Sequence, residues 1–235
     1  MDIDIIYLKN VPIFEQLLLE EKLLRKKEGN FCLFNTGSAP AAVMGISGKP
    51  PELFDTKKIK EKNLPVIKRF SGGGTVLIDE NTLFVSFICN KNAFSFPSYP
   101  ERIMQWSETI YKDSFTLDGF ALKENDFVLG DLKCGGNAQY ITKDRFIQHT
   151  SFSWDFCPKN MECLLHPPKT PPYRKGRSHK EFLCTLKGHF SSKEAFFQKI
   201  ADHLHQEHHA FIFEDLNSIS AIELERTSSC YIDLS

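Results

Sequence analysis

The stretch Lys-Arg-Phe-Ser-Gly-Gly-Gly-Thr-Val-Leu-Ile-Asp, residues 68–79, places three consecutive glycines between two strand-like apolar runs. A two-residue turn would connect such strands, and every added glycine loses backbone entropy on folding. The extra glycine therefore indicates a backbone that a ligand approaches closely, although a tight corner between strands remains an equal alternative. Arg69 and, further along, Lys133 indicate that this ligand is negatively charged. On this interpretation a side chain at Gly73 should weaken anion binding more than it weakens the fold.

A second small-residue element follows as Gly-Asp-Leu-Lys-Cys-Gly-Gly-Asn-Ala-Gln (130–139), and a third as Gln-His-Thr-Ser-Phe-Ser-Trp-Asp (148–155). The small residues after Lys133 leave space in which its ammonium group can bind a carboxylate, and then the oxygens of an activated acid. Asp126 is a candidate ligand of a magnesium ion or of a ribose or adenine edge. The glycine element matches neither a dinucleotide-binding fingerprint nor a Walker loop.

The composition excludes several classes of protein. The 235 residues carry a formal net charge of −1, so the charge balance does not favour nucleic acid as a partner. Seven cysteines without a Cys-x-x-Cys pair indicate reduced thiols rather than a disulfide framework. The sequence shows neither a secretory signal nor an apolar run long enough for a membrane span. We expect a cytoplasmic, monomeric protein that contacts neither membrane nor nucleic acid.

Hydrophobic periodicity predicts an α+β fold of many short, mostly hairpin-linked strands with a few helices. Helices are predicted over 11–28, with Asn10 as the N-cap, over 100–113, and after a capping box of Ser191 and Glu194. The Pro-rich segment 166–173 is predicted to be an irregular loop. Strands are predicted at 31–35, 41–46, 65–70, 75–79, 82–89, 119–123, 126–129, 133–141 and 146–155.

Together these elements resemble the lipoate-protein ligase A family of the biotin/lipoate ligase superfamily. The family's Arg-Arg-x-Ser-Gly-Gly-Gly is similar to residues 68–74, and its Asn-Asp to Asn125-Asp126. Its Lys-x-x-Gly-Ser/Asn-Ala is matched from Lys133 to Ala138. Its His-Gly-Thr appears as His149-Thr150-Ser151, without the glycine. The run Gly-Gly-Asn-Ala-Gln (135–139), followed by His-Thr-Ser-Phe-Ser-Trp-Asp (149–155) and a later Pro-Pro-Tyr-Arg (171–174), is particularly similar to short ligase-like proteins of plants and some bacteria.

The resemblance implies one catalytic domain over 1–235, with a mixed, mostly antiparallel sheet flanked by helices and no separate accessory domain. It implies that ATP, with magnesium, activates lipoate to lipoyl-AMP, and that the lipoyl group passes to a lysine of a lipoyl domain. The acceptors would be the E2 subunits of 2-oxoacid dehydrogenases or the H protein of glycine cleavage. Lys133 would be catalytic. The residues implied in substrate and nucleotide binding are Arg69, Ser71, Gly72, Gly73, Gly74, Thr75, Val76, Leu77, Asn125, Asp126, Gly136, Asn137, Ala138, His149 and Thr150.

Three alternatives stay open. The chain could instead be an octanoyl or lipoyl acyltransferase of the same fold, with Cys157 or Cys163 forming a thioester. It could be a non-catalytic module that binds acyl groups or nucleotides. Adenylation could also need a separate accessory protein. Otherwise the segments 48–54 and 166–173 are the candidates for sheltering the adenylate from water.

Overall fold

A computed structural model describes residues 1–165 and 170–234. Its strands are β1 (Asp2–Leu8), β2 (Phe31–Asn35), β3 (Ala41–Met44), β4 (Val66–Lys68), β5 (Gly72–Gly73), β6 (Val76–Ile78), β7 (Thr82–Asn90), β8 (Phe120–Lys123), β9 (Asp126–Leu129), β10 (Leu132–Ile141), β11 (Arg145–Ser153), β12 (His209–Ile212) and β13 (Cys230–Ile232). Its α-helices are α1 (Ile13–Lys26), α2 (Pro50–Leu53), α3 (Thr56–Glu61), α4 (Pro100–Phe115), α5 (Pro158–Met161), α6 (His179–Phe182), α7 (Lys193–Glu207) and α8 (Leu216–Ser220).

The strands form two sheets. The larger has the order β12-β1-β2-β7-β11-β10-β9-β8, with the short β5 also paired to β10. Only β12-β1 and β1-β2 are parallel in it, and the remaining pairs are antiparallel. The smaller sheet has the order β13-β4-β3-β6. The predicted α+β architecture with a mixed, mostly antiparallel sheet is confirmed.

The large sheet is covered on both faces. On one face α4 and α7 pack over a core rich in phenylalanine, which includes Phe115, Phe127, Phe152 and Phe196. On the other face α1 and the small sheet cover a second apolar cluster that includes Leu17, Val43 and Phe84. None of the described helices is long and apolar enough to cross a membrane.

The predicted helix caps differ from those in the structure. Helix α1 begins at Ile13 with Pro12 in the N-cap position, whereas Asn10, the predicted cap, has a φ of 52° and lies outside the helix. The buried hydroxyl of Ser38 instead accepts a hydrogen bond from the Ile13 amide at 2.9 Å. Helix α7 is capped by Ser192, one residue after the predicted position. The cap of α1 is Ser38, which lies 25 residues after Ile13 in the sequence. A pattern read along neighbouring residues therefore could not predict it.

The predicted Pro-rich loop lies partly outside the described residues, which omit 166–169. Its described end contains a short 3₁₀ turn, Pro172–Arg174. The segment 48–54, predicted as a mobile cover, contains the short helix α2.

We predict that Ser38→Ala lowers the free energy of unfolding by about 1 kcal/mol, because the Ile13 amide loses a buried acceptor. Asn10→Gly should change the free energy of unfolding by only about 0.3 kcal/mol, because glycine tolerates the left-handed backbone at this position. Urea denaturation of both variants measures the difference. A larger loss in Asn10→Gly than in Ser38→Ala would contradict this assignment of the cap.

Candidate active site

Arg69 lies beneath the glycine loop rather than on its surface. The side chain is buried, and Nη2 donates hydrogen bonds to the carbonyl oxygens of Gly74 at 2.7 Å and Gly72 at 3.3 Å. Burial lowers the pKa of the guanidinium to about 10, and the charge of Glu20 opposes this shift. Arg69 lines a cavity, as predicted, but its main contacts brace the loop from within.

The glycines of the loop have different roles. Gly73 has a φ of +119°, and a Cβ there would lie 2.7 Å from the carbonyl oxygen of Asn137. Gly72 and Gly73 also pair with Gln139 and Ala138 of β10. The fold itself therefore requires Gly73, and the expectation that a side chain there would spare the fold is wrong. A Cβ at Gly74 would meet no described atom within 4 Å, so Gly74 is the glycine that faces open space.

Lys133 and Asp126 form an ion pair between β10 and β9. The Lys133 Nζ lies 2.7 Å from Asp126 Oδ1, with 24% of the lysine side chain and 13% of the aspartate side chain exposed. The other carboxylate oxygen, Oδ2, accepts a hydrogen bond of 2.8 Å from the Tyr173 hydroxyl. Burial, followed by the charge of Asp126, raises the pKa of Tyr173 well above its usual range, so Tyr173 is a donor at neutral pH.

The Gly-Gly pair after Lys133 is required by two different neighbours. A Cβ at Gly136 would lie 3.2 Å from Lys133 Nζ, so this glycine makes room for the lysine side chain. A Cβ at Gly135 would lie 2.8 Å from the buried ring of Phe152. The register between β9 and β10 shifts between Lys133 and Gly135, a local irregularity of the kind that re-aims a side chain.

Two cavities meet at the Lys133–Asp126 pair. The first has a volume of about 490 Å³ and the second about 410 Å³, both within the usual range of small-molecule sites. Apolar residues that line only the first cavity are Ile13, Leu17, Val43, Phe84, Pro100, Met104, Ala138 and Ile141. Polar and charged residues that line only the second are Asp79, Thr82, Glu124, Ser153, Asp155, Thr170, Arg174 and His179. The second cavity also has apolar walls, which include Leu77, Phe156 and Phe182, but more charged side chains line it than line the first. We therefore call the first the apolar cavity and the second the polar cavity. An elongated ligand could place an apolar part in the first and a charged part in the second.

Arg174 supplies a buried cation to the second cavity. Its side chain is buried, Nε donates to the Arg177 carbonyl oxygen at 2.8 Å, and the guanidinium lies 5.0 Å from the centre of the Phe182 ring. Burial lowers its pKa, and the charge of Asp126 opposes the shift. Nη2 has no hydrogen-bond partner among the described residues. A buried donor without a partner is costly, and an anion in this cavity would relieve that cost.

A buried polar cluster lies next to the first cavity. The Glu20 carboxylate of α1 accepts hydrogen bonds from Ser86 at 2.6 Å and Gln16 at 2.7 Å, and its Oε1 lies 2.9 Å from His149 Nδ1. Burial alone would raise the pKa of Glu20. The charge of His149 and the three hydrogen bonds lower the pKa by more than burial raises it, so the net shift is downward. His149 lines the first cavity, as predicted, and is held by this cluster.

Most of the predicted site residues line one or both cavities. Those that do are Lys133, Arg69, Gly72, Gly73, Gly74, Thr75, Val76, Leu77, Asn125, Asp126, Gly136, Asn137, Ala138 and His149. Ser71 and Thr150 do not. The Ser71 carbonyl accepts from the Ile46 amide, and the Thr150 hydroxyl bonds to Asn137 and Tyr111 within the core. Both residues lie next to residues that line a cavity, Gly72 and His149, and their roles in binding stay predictions.

Sequence reasoning missed Glu20, Tyr173 and Arg174. Glu20 lies among the buried apolar residues of α1. A carboxylate in such a position needs a buried partner, so the interrupted apolar pattern was a signal that could have identified it. Tyr173 and Arg174 belong to the noted Pro-Pro-Tyr-Arg run, but nothing local shows that this run meets Asp126. The contacts of Tyr173 and Arg174 with the site become visible only in the tertiary structure.

The predicted magnesium ligand Asp126 does not fit a resident metal site. Both of its oxygens are engaged, one by Lys133 and one by Tyr173. Among the described residues no group of three or more His, Cys, Asp or Glu side chains could hold a metal ion. We therefore assign no chemical step to a protein-bound metal.

Comparison with known proteins agrees with this geometry. The model of the lipoyl protein ligase A/B catalytic domain matches residues 12–209. The chain belongs to this family. A relative of the lipoyl protein ligase domain, "inactive lipoate–protein ligase 2" of Plasmodium falciparum, is 32% identical over 269 aligned positions, which cover 86% of this chain and 70% of the relative. The lipoate-protein ligase LplJ of Bacillus subtilis is 27% identical over 63% of this chain and 44% of its own length.

Solved lipoate-protein ligases share the fold. A lipoate-protein ligase A bound with ATP superimposes with a TM-score of 0.75 at 16% identity, over 92% of this chain and 89% of the other. A bipartite lipoate-protein ligase of Thermoplasma acidophilum, described together with its E2 lipoyl domain, gives 0.75 at 17% identity over 92% and 87%. The chain spans less than half the length of the Bacillus subtilis ligase and 40% of lipoate–protein ligase 1 of Staphylococcus aureus.

We predict that Gly74→Ala leaves the melting temperature unchanged, because its Cβ would meet no described atom within 4 Å. The same Cβ should weaken binding of an anionic ligand, because it would occupy the space through which the ligand approaches the loop. Gly73→Ala should lower the melting temperature by several degrees, because its Cβ would collide with the backbone of β10. Thermal unfolding with and without lipoyl-AMP measures both effects. If Gly74→Ala binds lipoyl-AMP as tightly as the unchanged protein, no ligand contacts this part of the loop.

Proposed function

We propose that this chain is an active lipoate-protein ligase that forms lipoyl-AMP from ATP and lipoate and transfers the lipoyl group to a lysine of a lipoyl domain. The observation that carries the proposal is the position of Lys133. Its ammonium group lies between an apolar cavity and a polar cavity and contributes to the walls of both. The reactive bonds of both steps would lie at this junction.

The apolar cavity suits the acyl chain. Burial of apolar surface contributes about 0.8 kcal/mol for each methylene group removed from water. The side chains available for this contact include Ile13, Leu17 and Phe84. An acyl chain in that position would point its carboxylate toward Lys133.

The polar cavity suits the nucleotide phosphates. In the first step a carboxylate oxygen of lipoate attacks the α-phosphorus, the bond to the bridging oxygen breaks, and pyrophosphate leaves. Lys133 and Arg174 are the lysine and arginine that line this cavity within the described chain, where the carboxylates of Asp79, Glu124, Asp126 and Asp155 also lie. The phosphates would therefore have to bind on the side of the two cations. Fixed positive charge in a half-buried site stabilises negative charge as it develops on the transferring phosphate.

The second step uses the same junction. The amine of the acceptor lysine attacks the acyl carbonyl carbon, the bond from that carbon to the phosphate oxygen breaks, and AMP leaves with the electron pair. The amine nitrogen loses one proton. Lys133 would donate a hydrogen bond to the carbonyl oxygen as it becomes negative. The described E2 partner of the bipartite ligase supports a lipoyl domain as acceptor.

The positions of the cysteines favour the ligase over the thioester acyltransferase. Cys163 is fully buried, its pKa is raised by burial, and it lines neither cavity in the described chain. Cys157 is exposed and likewise lines neither cavity. A nucleophile must reach the acyl carbonyl, and neither thiol is placed to do so.

A non-catalytic module is the second candidate, and one observation favours it. The Plasmodium falciparum relative, which this chain covers to 70%, bears the name of an inactive ligase. The Lys133–Asp126 pair and the buried Arg174 argue for activity here, because both place positive charge at a cavity wall. Activity measurements on the whole protein decide between the two.

Lys133→Ala should reduce lipoylation about 10²–10³-fold, because it removes the cation at the junction of the cavities. Intact-mass analysis of an apo lipoyl domain over time, with ATP and lipoate supplied, measures the rate. Lys57→Ala, a change at a lysine whose side chain is 86% exposed, is the matched control and should leave the rate unchanged. A folded Lys133→Ala protein with the control's rate would overturn the assignment.

The choice of acyl donor separates the remaining candidates. We expect the purified chain to lipoylate the domain from ATP plus lipoate and also from synthetic lipoyl-AMP. The double variant Cys157→Ser/Cys163→Ala should retain both activities. Use of lipoyl-AMP alone would assign adenylation to a separate accessory protein. A covalent octanoyl adduct on either thiol, with no use of lipoyl-AMP, would favour the acyltransferase. Failure with every donor and no adduct would favour the non-catalytic module.

A further inference from the structure

Two cysteines lie side by side behind Lys133. Cys134 follows Lys133 in β10, and Cys184 follows Leu183, whose backbone forms a parallel bridge with Lys133. The Cys184 amide donates a 2.8 Å hydrogen bond to the Lys133 carbonyl oxygen. Paired chains run about 4.8 Å apart, and disulfides join Cα atoms about 4.4–6.8 Å apart. Each thiol donates a 3.4 Å hydrogen bond to a backbone carbonyl oxygen of this region, Cys134 to Phe127 and Cys184 to Leu132.

The two thiols differ in reactivity. Cys134 is fully buried, and burial raises the pKa of its thiol well above the usual range. Cys184 is partly exposed, and the neighbouring Cys134 thiol is the main cause that lowers its pKa. The thiolate is the form that reacts with oxidants, so Cys184 is the first of the pair to be oxidised. Cys134 is then the thiol beside it that completes the bond.

We propose that Cys134 and Cys184 are a redox site that forms a reversible disulfide when the protein meets a peroxide. The Cys184 thiolate attacks one peroxide oxygen, the O–O bond breaks, and a sulfenic acid forms as hydroxide leaves. The Cys134 sulfur attacks the sulfenic sulfur, the S–O bond breaks, and water leaves with the thiol proton. Two thiols are oxidised by two electrons in total, and one peroxide is reduced to two waters.

The disulfide would act on the second cavity. The segment just before Cys184 lines that cavity through His179, Phe182 and Leu183. In the reduced protein a backbone bridge holds this segment to β10. A disulfide would fix the segment to β10 covalently, and this restraint on the cavity wall would weaken binding of lipoyl-AMP, a consequence that rests on the function proposed above.

Peptide mapping tests the site directly. The intact, reduced protein is treated with hydrogen peroxide, alkylated, and digested with trypsin without reduction. Trypsin should release residues 134–143 and 181–187, joined as one species two hydrogens lighter than their sum. The link should disappear on treatment with dithiothreitol and should persist in the control variant Cys157→Ser/Cys230→Ser, which lacks two exposed thiols. Recovery of 181–187 only as an alkylated peptide, or linked to another cysteine, would overturn the site.

The consequence has its own measurement. We expect the oxidised protein to bind lipoyl-AMP several-fold more weakly in calorimetry, dithiothreitol to restore the affinity, and Cys184→Ser to be insensitive to peroxide. Unchanged affinity despite the crosslink would overturn the coupling to the cavity. If the reduced protein binds no lipoyl-AMP, the proposed function fails, while the mapping result still decides whether the redox site exists.

Discussion

The ion pair between Lys133 and Asp126 ties together the parts of the molecule that could carry chemistry. Taking a charge out of water costs several kcal/mol unless a partner and hydrogen bonds compensate it. Asp126 provides the partner at 2.7 Å, and Tyr173 occupies its remaining oxygen. Gly136 leaves the volume that the lysine side chain fills. Gly136 and the Tyr173 hydroxyl therefore both help to keep one ammonium group at a cavity wall.

A second set of buried charges maintains the apolar side of the site. Glu20 and Arg69 are both buried; burial lowers the pKa of Arg69, and the charge of Glu20 opposes this shift. Ser86, Gln16 and His149 all contact Glu20 Oε1, while Oε2 has no hydrogen-bond partner among the described residues. Arg69 donates from Nη2 to the carbonyl oxygens of the glycine loop. The loop thus keeps its shape without a ligand. A preformed loop loses less conformational entropy when an anion binds than a loop that must first be ordered.

Much of this arrangement could be predicted from the sequence, because strand alternation and glycine runs are local signals. The patterns located α1, α4, β7 and β9 to within a few residues and brought Lys133, Asp126 and the glycine loop to one site. Strands β1, β12 and β13 were missed, since their pairing partners are distant in sequence. The same limit hid the Ser38 cap and the Glu20 cluster. Local pattern also could not separate Gly73, which a backbone neighbour requires, from Gly74, which faces open space.

The ion pair also bears on how binding energy would be divided between substrate and transition state. In the free protein the charge of Lys133 is already compensated, so a substrate carboxylate gains little by approaching it and must compete with Asp126. Negative charge increases at the reacting phosphate and carbonyl oxygens as each step proceeds, and the ammonium group then gains more from those oxygens than from Asp126. Only interactions that strengthen in this way raise the rate of the chemical step. A lysine restrained by a carboxylate is thus better suited to catalysis than a free lysine, which would bind the ground state equally well.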